Sequence, residues 1–267
     1  MKYLPLIILI LVVIFVFWLK KQIKPLVPAS VCLVSGGVKT GKSTLAIHLA
    51  LKEYRKRHFK WKVLKFFLPK KFVPEEPLLY SNIPLAVPFV PVTTSLLRKQ
   101  ERFNFKSVVY LGEFSLVADS QLIRDKELNN DLMDFFKLFG HETHGGFLVA
   151  DSQCIADCHY SLKRVLSEYY YIHHLVKWIP FILVAKVTEF KYSEDTSVLQ
   201  NDSDVIDNLR TVIFSKHIWK LFDCYCYSVF SDNLQPVNKL VKLPNNKRLK
   251  AKNIPSFNSH FIERYTK

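Results

Sequence analysis

One short stretch of the chain combines glycines, a lysine and a hydroxyl side chain at a spacing that can hold phosphate. Residues 36–43 read GGVKTGKS and satisfy the pattern G-x-x-x-x-G-K-[ST]. Glycines let successive backbone N–H groups turn inward around phosphate oxygens, and the N-terminus of a following helix adds positive potential. Lys42 would then reach the β- and γ-phosphates of a nucleoside triphosphate, and the Ser43 hydroxyl would bind Mg²⁺. The predicted nucleotide-binding residues are Gly36, Gly37, Val38, Lys39, Thr40, Gly41, Lys42, Ser43 and Thr44.

The segments on both sides of this loop are of the kinds that the motif requires. Residues 30–35 (SVCLVS) are mostly apolar and predict a buried strand, while residues 45–54 repeat apolar side chains at helical spacing. The chain contains only seven glycines, and three of them fall within residues 36–41. Because so few glycines are available to match the pattern by chance, the strand, loop and helix together predict an ATP-binding loop of the P-loop type.

Two further apolar segments end in side chains that could complete such a site. Residues 107–113 (SVVYLGE) predict a strand that ends at Glu113, which could activate the attacking water or serve the metal itself. Asp119 is a reserve candidate for these roles. Residues 145–153 (GGFLVADSQ) predict a strand followed by Gln153, which could sense the γ-phosphate or position water. An ordinary exposed glutamate and a plain turn residue are the alternatives for Glu113 and Gln153.

The composition is that of a folded chain. Of the 267 residues, 49% are hydrophobic and 23% are charged, so the chain can bury a substantial core. Five cysteines, an odd number at irregular spacing, do not form the disulfide framework of a small secreted domain and favour a reducing compartment. The His and Cys clusters at 141–144, 154–159 and 224–226 lack the paired spacing of a structural zinc site.

The first 24 residues predict a membrane anchor. Residues 3–19 carry no charge; three lysines follow them within five residues, whereas only Lys2 precedes them. By the positive-inside rule, this bias predicts an N-terminus outside and a cytoplasmic remainder. As a helix the uncharged stretch would span roughly 26 Å, close to the ~30 Å of a hydrocarbon core. A signal peptide cleaved near residues 27–29 is the alternative.

The formal net charge of +15 is concentrated in three basic segments, residues 1–24, 52–71 and 233–267. Residues 52–71 carry nine Lys or Arg side chains against one acid, Glu53, and interleave them with aromatic residues. Such segments suit a polyanion, either DNA or the anionic leaflet of a membrane. Alternatively, residues 52–71 form a solvated helix face whose rings fill the core.

These features predict an α/β fold with three layers, a P-loop NTPase with a mostly parallel sheet, behind an N-terminal transmembrane helix. The predicted divisions are an anchor at 1–24, an ATPase domain at 25–232 and a basic tail at 233–267. Strands are predicted at 31–35, 79–83, 107–112 and 147–151, with 181–187 and 211–214 as additions. The Tyr169–Tyr171 run and the His173–His174 pair predict a helix or its end, and residues 178–185 predict a buried strand too short to cross a bilayer.

The order of these motifs resembles that of the zonula occludens toxin-like (Zot) assembly ATPases of filamentous phages, within the FtsK/HerA-type group. The resemblance covers about residues 31–230. Its features, in order, are the loop at 36–43, SNIPL at 81–85 for the family's T/S-N-I-P strand, 108–113 in the Walker B place, GHETHG at 140–145 for its R-H-x-G turn, SQ at 152–153 for its T-Q, and FDCY at 222–225 for its closing YDS segment.

The resemblance implies ATP- and Mg²⁺-dependent virion assembly with other phage proteins, by extrusion or by movement of DNA, at the host inner membrane or a virion membrane. Arg164 falls in the family's I…R helix and is a candidate arginine finger for a neighbouring subunit, which predicts a ring, by resemblance a hexamer. Two features depart from the family: Gly112 replaces the Walker B aspartate, and the anchor is N-terminal instead of following the ATPase domain. The alternatives are a viral genome-packaging ATPase and a nucleotide-binding membrane scaffold without turnover.

Overall fold

The computed structural model describes residues 30–93, 102–114, 126–191 and 209–222, together with residues 26, 28 and 96. The predicted anchor at 1–24, Asp119 and the basic tail at 233–267 lie outside the described residues. Among the residues that are described, no helix is both long and apolar enough to cross a bilayer.

The described segments form eight strands and three α-helices. The strands are β1 Val31–Gly36, β2 Leu79–Ser81, β3 Val90–Pro91, β4 Val108–Leu111, β5 Phe147–Ser152, β6 Glu168–Val176, β7 Ile182–Lys191 and β8 Leu209–Ser215. The α-helices are α1 Lys42–Phe67, α2 Lys126–Glu142 and α3 Tyr160–Val165, and Lys70–Phe72 and Lys216–Lys220 form short 3₁₀ turns.

All eight strands belong to one sheet in the order β3-β2-β4-β5-β1-β6-β7-β8. The strands from β3 to β6 in this order run parallel, and β7 and β8 add to β6 as antiparallel neighbours. Because β5 lies between β1 and β4, the carboxyl ends of these three strands meet at one edge of the sheet. We call the side of the sheet at which these carboxyl ends lie the carboxyl edge. The opposite side, at which the parallel strands begin, is the amino edge.

The sheet separates two apolar cores, which explains why β1 is apolar along its whole length. Cys32 and Val34 face the core beneath α1, whereas Val31 and Leu33 face the core formed with α2 and α3. A parallel strand that is buried on both faces reads as a continuous apolar run rather than an alternating one. The predicted three-layer arrangement with a mostly parallel sheet is therefore confirmed for the described part of the chain.

Two local predictions are wrong. The segment around Tyr169–Tyr171 and His173–His174 is strand β6, not a helix, and Tyr170 and Ile172 are buried while Tyr171 and His173 are exposed. This alternation with a period of two residues is the signature of a strand, and the run of large aromatic residues suits a pleated surface. Residues 178–181 are a turn and not part of a buried strand: Trp178 is 83% exposed, and β7 begins only at Ile182.

Candidate nucleotide-binding site

The glycine loop joins the end of β1 to the start of α1, as predicted. Gly41 is the N-cap of α1 with φ 93°, and its carbonyl oxygen accepts the N–H of Leu45 at 3.0 Å. Gly36 has φ 154°, and a Cβ there would lie 2.6 Å from both Cγ2 and the carbonyl oxygen of Ile172. A Cβ at Gly41 would lie 2.7 Å from Cδ2 of Leu175. Strand β6 therefore packs so closely against both ends of the loop that only glycine fits.

The loop delivers two functional side chains to the first turn of α1. Lys42 is 7% exposed and Ser43 is half-buried. No side chain caps this helix and its first turn holds no acid, so its N–H groups and the positive end of its dipole remain available to phosphate. This arrangement is the one that the G-x-x-x-x-G-K-[ST] pattern predicts.

Asp151 joins these residues, although it was not among the predicted site residues. It lies near the end of β5, is completely buried, and its Oδ1 accepts the N–H of Glu113 at 2.6 Å. Burial raises the pKa of Asp151 to about 6, while the Ser43 hydroxyl, the Glu113 N–H and the Lys42 ammonium favour its ionised form. Its Oδ2 has no hydrogen-bond partner among the described residues. The sequence feature that could have identified Asp151 is an acidic residue near the end of a predicted buried strand.

Tyr110 fills the space next to Gly112. A Cβ on Gly112 would lie 2.9 Å from the Tyr110 hydroxyl, which is buried beside Ser43 and Asp151. Burial raises the pKa of Tyr110 well above its usual value, and the negative charge of Asp151 adds to this effect. The absence of a side chain at residue 112 is thus explained locally, because the phenol ring of Tyr110 occupies the place that such a side chain would need.

The predicted catalytic residues Glu113 and Gln153 both lie at the carboxyl edge. Glu113 follows β4, is half-buried and has φ 45°, a left-handed conformation for which its N–H bond to Asp151 compensates. Gln153 follows β5 and is exposed. Both positions are compatible with a role at the γ-phosphate, and these roles stay predictions.

Arg164 is not brought to the glycine loop of its own chain. It is exposed on α3, with its guanidinium 5.4 Å from the centre of the Tyr160 ring. Three residues later the chain has reached the amino edge, where the Ser167 N–H donates to the Val31 carbonyl at 3.0 Å. Its predicted action on a neighbouring subunit stays a prediction.

Three residues outside the motif also contact the loop or the first turn of α1, and sequence reasoning missed them. Trp219 donates its indole N–H to the Thr44 hydroxyl at 3.3 Å, and the Lys177 ammonium lies 3.4 Å from the Lys39 carbonyl oxygen. The third is Leu175, which packs against Gly41. No sequence pattern marks them, because each reaches the loop only through the tertiary fold.

The oxygen atoms at this edge fit Mg²⁺, which prefers carboxylate, hydroxyl and water oxygens. A hydroxyl from Ser43 and the carboxylates of Asp151 and Glu113 lie together, and one buried carboxylate oxygen of Asp151 has no partner within the described segments. No cluster of three or more His, Cys, Asp or Glu residues suited to a metal occurs among the described residues. Ser43 with these carboxylates offers oxygen donors of the kind that Mg²⁺ prefers.

No protein-family model and no curated protein matches the chain. Among solved structures, the N-terminal domain of zonular occludens toxin from Neisseria meningitidis matches 74% of this chain and all of its own, with 16% identity and a TM-score of 0.43. A KaiC-like protein from Pyrococcus horikoshii matches 65% of this chain and 84% of its own, with 12% identity and a TM-score of 0.37.

The genome packaging NTPase of Sulfolobus turreted icosahedral virus 2, in complex with ATP-gammaS, matches 62% of this chain and 98% of its own, with 11% identity and a TM-score of 0.32. The resemblance expected from the sequence is confirmed to this extent: a zonular occludens toxin domain and a viral genome packaging NTPase are among the solved structures to which this chain is similar.

Proposed function

We propose that this protein is a membrane-anchored ATP hydrolase that drives the assembly or extrusion of a phage or another virion, or the translocation of its DNA. One observation carries the proposal: the glycine loop brings Lys42 and Ser43 to the edge of the sheet where Glu113 and Asp151 also lie. The residues of a phosphate site and of a metal site thus come from three neighbouring strand ends.

The roles of the individual residues follow from their positions. Lys42 and the N–H groups of the first turn of α1 bind the β- and γ-phosphates. Glu113 orients and activates the attacking water, and Gln153 contacts the γ-phosphate or that water. Ser43 would help to hold Mg²⁺, which would supply positive charge to offset the negative charge of the phosphates. Arg164 would act on the site of a neighbouring subunit in a ring.

The test is an ATP hydrolysis assay on the full chain, with and without DNA. The variant is Lys42→Ala, and Lys137→Ala is the matched control, because Lys137 is an exposed lysine of α2 outside the three basic segments. We expect turnover that DNA stimulates, that Lys42→Ala abolishes and that Lys137→Ala retains. Binding of ATP without turnover would favour the scaffold alternative, which Gly112 supports. Failure to bind ATP at all would refute the proposal.

A genome-packaging role is the second candidate for the same enzyme. The neighbouring genes distinguish the two: major coat genes of a filamentous virion indicate extrusion, whereas a double jelly-roll capsid gene indicates packaging. Both candidates place the enzyme near polyanions, DNA and an anionic membrane surface, and the nine basic side chains of residues 52–71 suit either of them.

The second half of α1 supports a membrane-facing orientation of the amino edge. Arg57 donates to the carbonyl oxygens of Lys106 and Gly145 at 3.0 and 2.9 Å, both at the amino edge. The helix then continues to Phe67, about 15 Å further at 1.5 Å per residue. Its last two aromatic side chains are exposed, with Phe66 at 83% and Phe67 at 76%. Exposed rings among lysines are typical of a helix that contacts an anionic membrane surface.

The N-terminal end of β1 lies at the same edge. The Ser30 carbonyl oxygen accepts the Leu148 N–H at 2.8 Å, just before β1 begins. A membrane anchor within residues 1–24 would therefore enter the domain at the edge where the basic aromatic end of α1 emerges. The glycine loop would face away from the bilayer, where DNA or a virion component could approach it.

A further inference from the structure

Gly112 leaves the Walker B position of this chain without a carboxylate. In P-loop ATPases an acid there binds Mg²⁺. A side chain at residue 112 would collide with Tyr110, whose hydroxyl lies 2.9 Å from an ideal Cβ. A carboxylate for the metal must therefore come from another position.

We propose that Asp151, on the neighbouring strand β5, supplies this carboxylate: together with the Ser43 hydroxyl it binds the Mg²⁺ that accompanies ATP, directly or through water. The inference rests on the proposed binding of ATP. It relocates the metal-binding acid from the end of β4 to the end of β5, which lies between β4 and the strand that leads into the glycine loop.

The surroundings of Asp151 suit this role. The side chain is completely buried, and Oδ1 accepts the Glu113 N–H while Oδ2 has no partner among the described residues. A buried carboxylate oxygen without a partner is costly unless a cation or a donor approaches it. Ser43 and Lys42, which face the nucleotide in the proposed site, are the groups that interact with the carboxylate from α1.

One carboxylate from the protein is enough to hold the Mg²⁺ of a bound nucleotide. Mg²⁺ keeps several of its waters and is usually held by one or two carboxylates together with the phosphates of its nucleotide. A hydroxyl from Ser43 and one carboxylate from Asp151 meet that requirement. Glu113 then remains free to act on the attacking water, which removes the need for one carboxylate to serve both purposes.

A purely structural role is the competing explanation, because Asp151 also anchors the Glu113 backbone in its left-handed conformation. The two roles make different predictions for Asp151→Asn, which keeps an oxygen for the Glu113 N–H but removes the charge. A structural role alone leaves the Mg²⁺ dependence of nucleotide binding unchanged. A metal role removes that dependence.

The experiment measures the equilibrium affinity of the full chain for ATP-gammaS by calorimetry, once with Mg²⁺ and once with a chelator. We expect Mg²⁺ to tighten binding to the unchanged protein roughly tenfold, and this gain to fall below about threefold in Asp151→Asn. The affinities without Mg²⁺ should agree within about twofold. Asp157→Asn is the matched control, since Asp157 is an exposed aspartate on the loop after β5, and it should keep the full gain.

A second variant tests the inference even if Asp151→Asn does not fold. Ser43→Ala removes the hydroxyl without touching the buried charge, and it should lose the same Mg²⁺ gain, with no further loss in the double variant. A full Mg²⁺ gain in Asp151→Asn, or additive losses in the double variant, would overturn the inference. An unchanged protein that binds no ATP-gammaS at all would instead contradict the proposed function, so the two failures are distinguishable.

Discussion

Asn82 and Gly112 are joined by two hydrogen bonds between one side chain and one residue's backbone. The Asn82 amide Nδ2 donates to the Gly112 carbonyl at 3.0 Å, and the Gly112 N–H donates to Asn82 Oδ1 at 2.7 Å. Asn82 is completely buried and directly follows β2. It therefore fixes the backbone between β4 and Glu113, which gives the SNIPL segment a structural task at the candidate site.

Replacement of Asn82 should destabilise the protein. Asn82→Ala leaves a buried N–H and a buried carbonyl of Gly112 without partners, so we expect a loss of about 2–4 kcal/mol in the free energy of unfolding. Urea denaturation followed by circular dichroism measures it. Asn130→Ala is the control, because Asn130 is an exposed residue of α2, and it should cost below about 1 kcal/mol. Equal losses in the two variants would contradict the structural task of Asn82.

Gly112 and Tyr110 should be energetically coupled. Gly112→Ala forces a Cβ to within 2.9 Å of the Tyr110 hydroxyl, and we expect it to cost about 1–3 kcal/mol as overpacking. In a Tyr110→Phe background that hydroxyl is absent, so the same substitution should cost about 1 kcal/mol less. A double-mutant cycle of unfolding free energies measures this coupling. Strictly additive effects would mean that Tyr110 does not restrict residue 112.

Two adjacent glycines of the loop should respond very differently to alanine. A Cβ at Gly36 meets the backbone oxygen of Ile172 at 2.6 Å, whereas a Cβ at Gly37 finds only the Thr40 methyl at 3.5 Å. Gly36→Ala should therefore lower the unfolding free energy by about 2 kcal/mol or more, since backbone cannot move aside easily. Gly37→Ala, the matched control, should change it by less than about 0.5 kcal/mol. Thermal denaturation without nucleotide compares them, and similar melting temperatures would show that β6 does not press against the loop.

His48 should make stability depend on pH. Burial, together with the positive charges of the nearby Lys52 and Arg55, lowers the pKa of His48 to about 4. Its ring stacks on Phe214 with centroids 4.8 Å apart. The unfolded chain, with a histidine pKa near 6.5, binds this proton more readily than the folded chain. The contribution of His48 to stability should therefore be largest above about pH 6.5 and fall as the pH drops toward 4.

The comparison protein for this effect is His48→Phe, which keeps an aromatic ring against Phe214. Asp151, with its raised pKa, titrates in an overlapping range with the opposite sign, so only the difference between the two proteins isolates His48. That difference should grow by up to about 3 kcal/mol between pH 7 and pH 4. Urea unfolding at several pH values measures it. A constant difference would mean that His48 is not buried as a neutral side chain.

The glycine loop could be predicted from the sequence because Lys42, Ser43 and the turn that presents them are contiguous. Asp151 could not be ranked above Gln153 in the same way. Which strand-end side chain lies beside Ser43 depends on β5 running between β1 and β4, and local patterns do not determine strand order. For the same reason the contact of Trp219 with Thr44 could not be predicted from the sequence.

Strand β6 shows a different limit. The helix predicted around Tyr169–Tyr171 followed from a dense aromatic and histidine run, in which both faces of the segment are chemically similar. Only burial separates them: Tyr170 is inside, and Tyr171 is 37% exposed. A period-two pattern in hydrophobicity is weak when tyrosines occupy both faces, so the strand emerges only when its partner β1 is known.

The exposed rings at the end of α1 should be protected by an anionic membrane. Hydroxyl-radical footprinting of the full chain, reconstituted in nanodiscs of anionic or of neutral lipid, reports the oxidation rate of each aromatic side chain. Phe66 and Phe67 should be oxidised several-fold more slowly on anionic lipid, because their rings insert while the neighbouring lysines bind headgroups.

The matched controls for this experiment are Trp178 and Phe181, which are 83% and 85% exposed in the turn between β6 and β7, at the carboxyl edge. Their oxidation should not depend on the lipid, since the proposed orientation turns that edge away from the bilayer. Equal oxidation of Phe66 and Phe67 on both lipids would refute the orientation. Protection of these two residues only when DNA is added would assign the basic surface of α1 to nucleic acid instead.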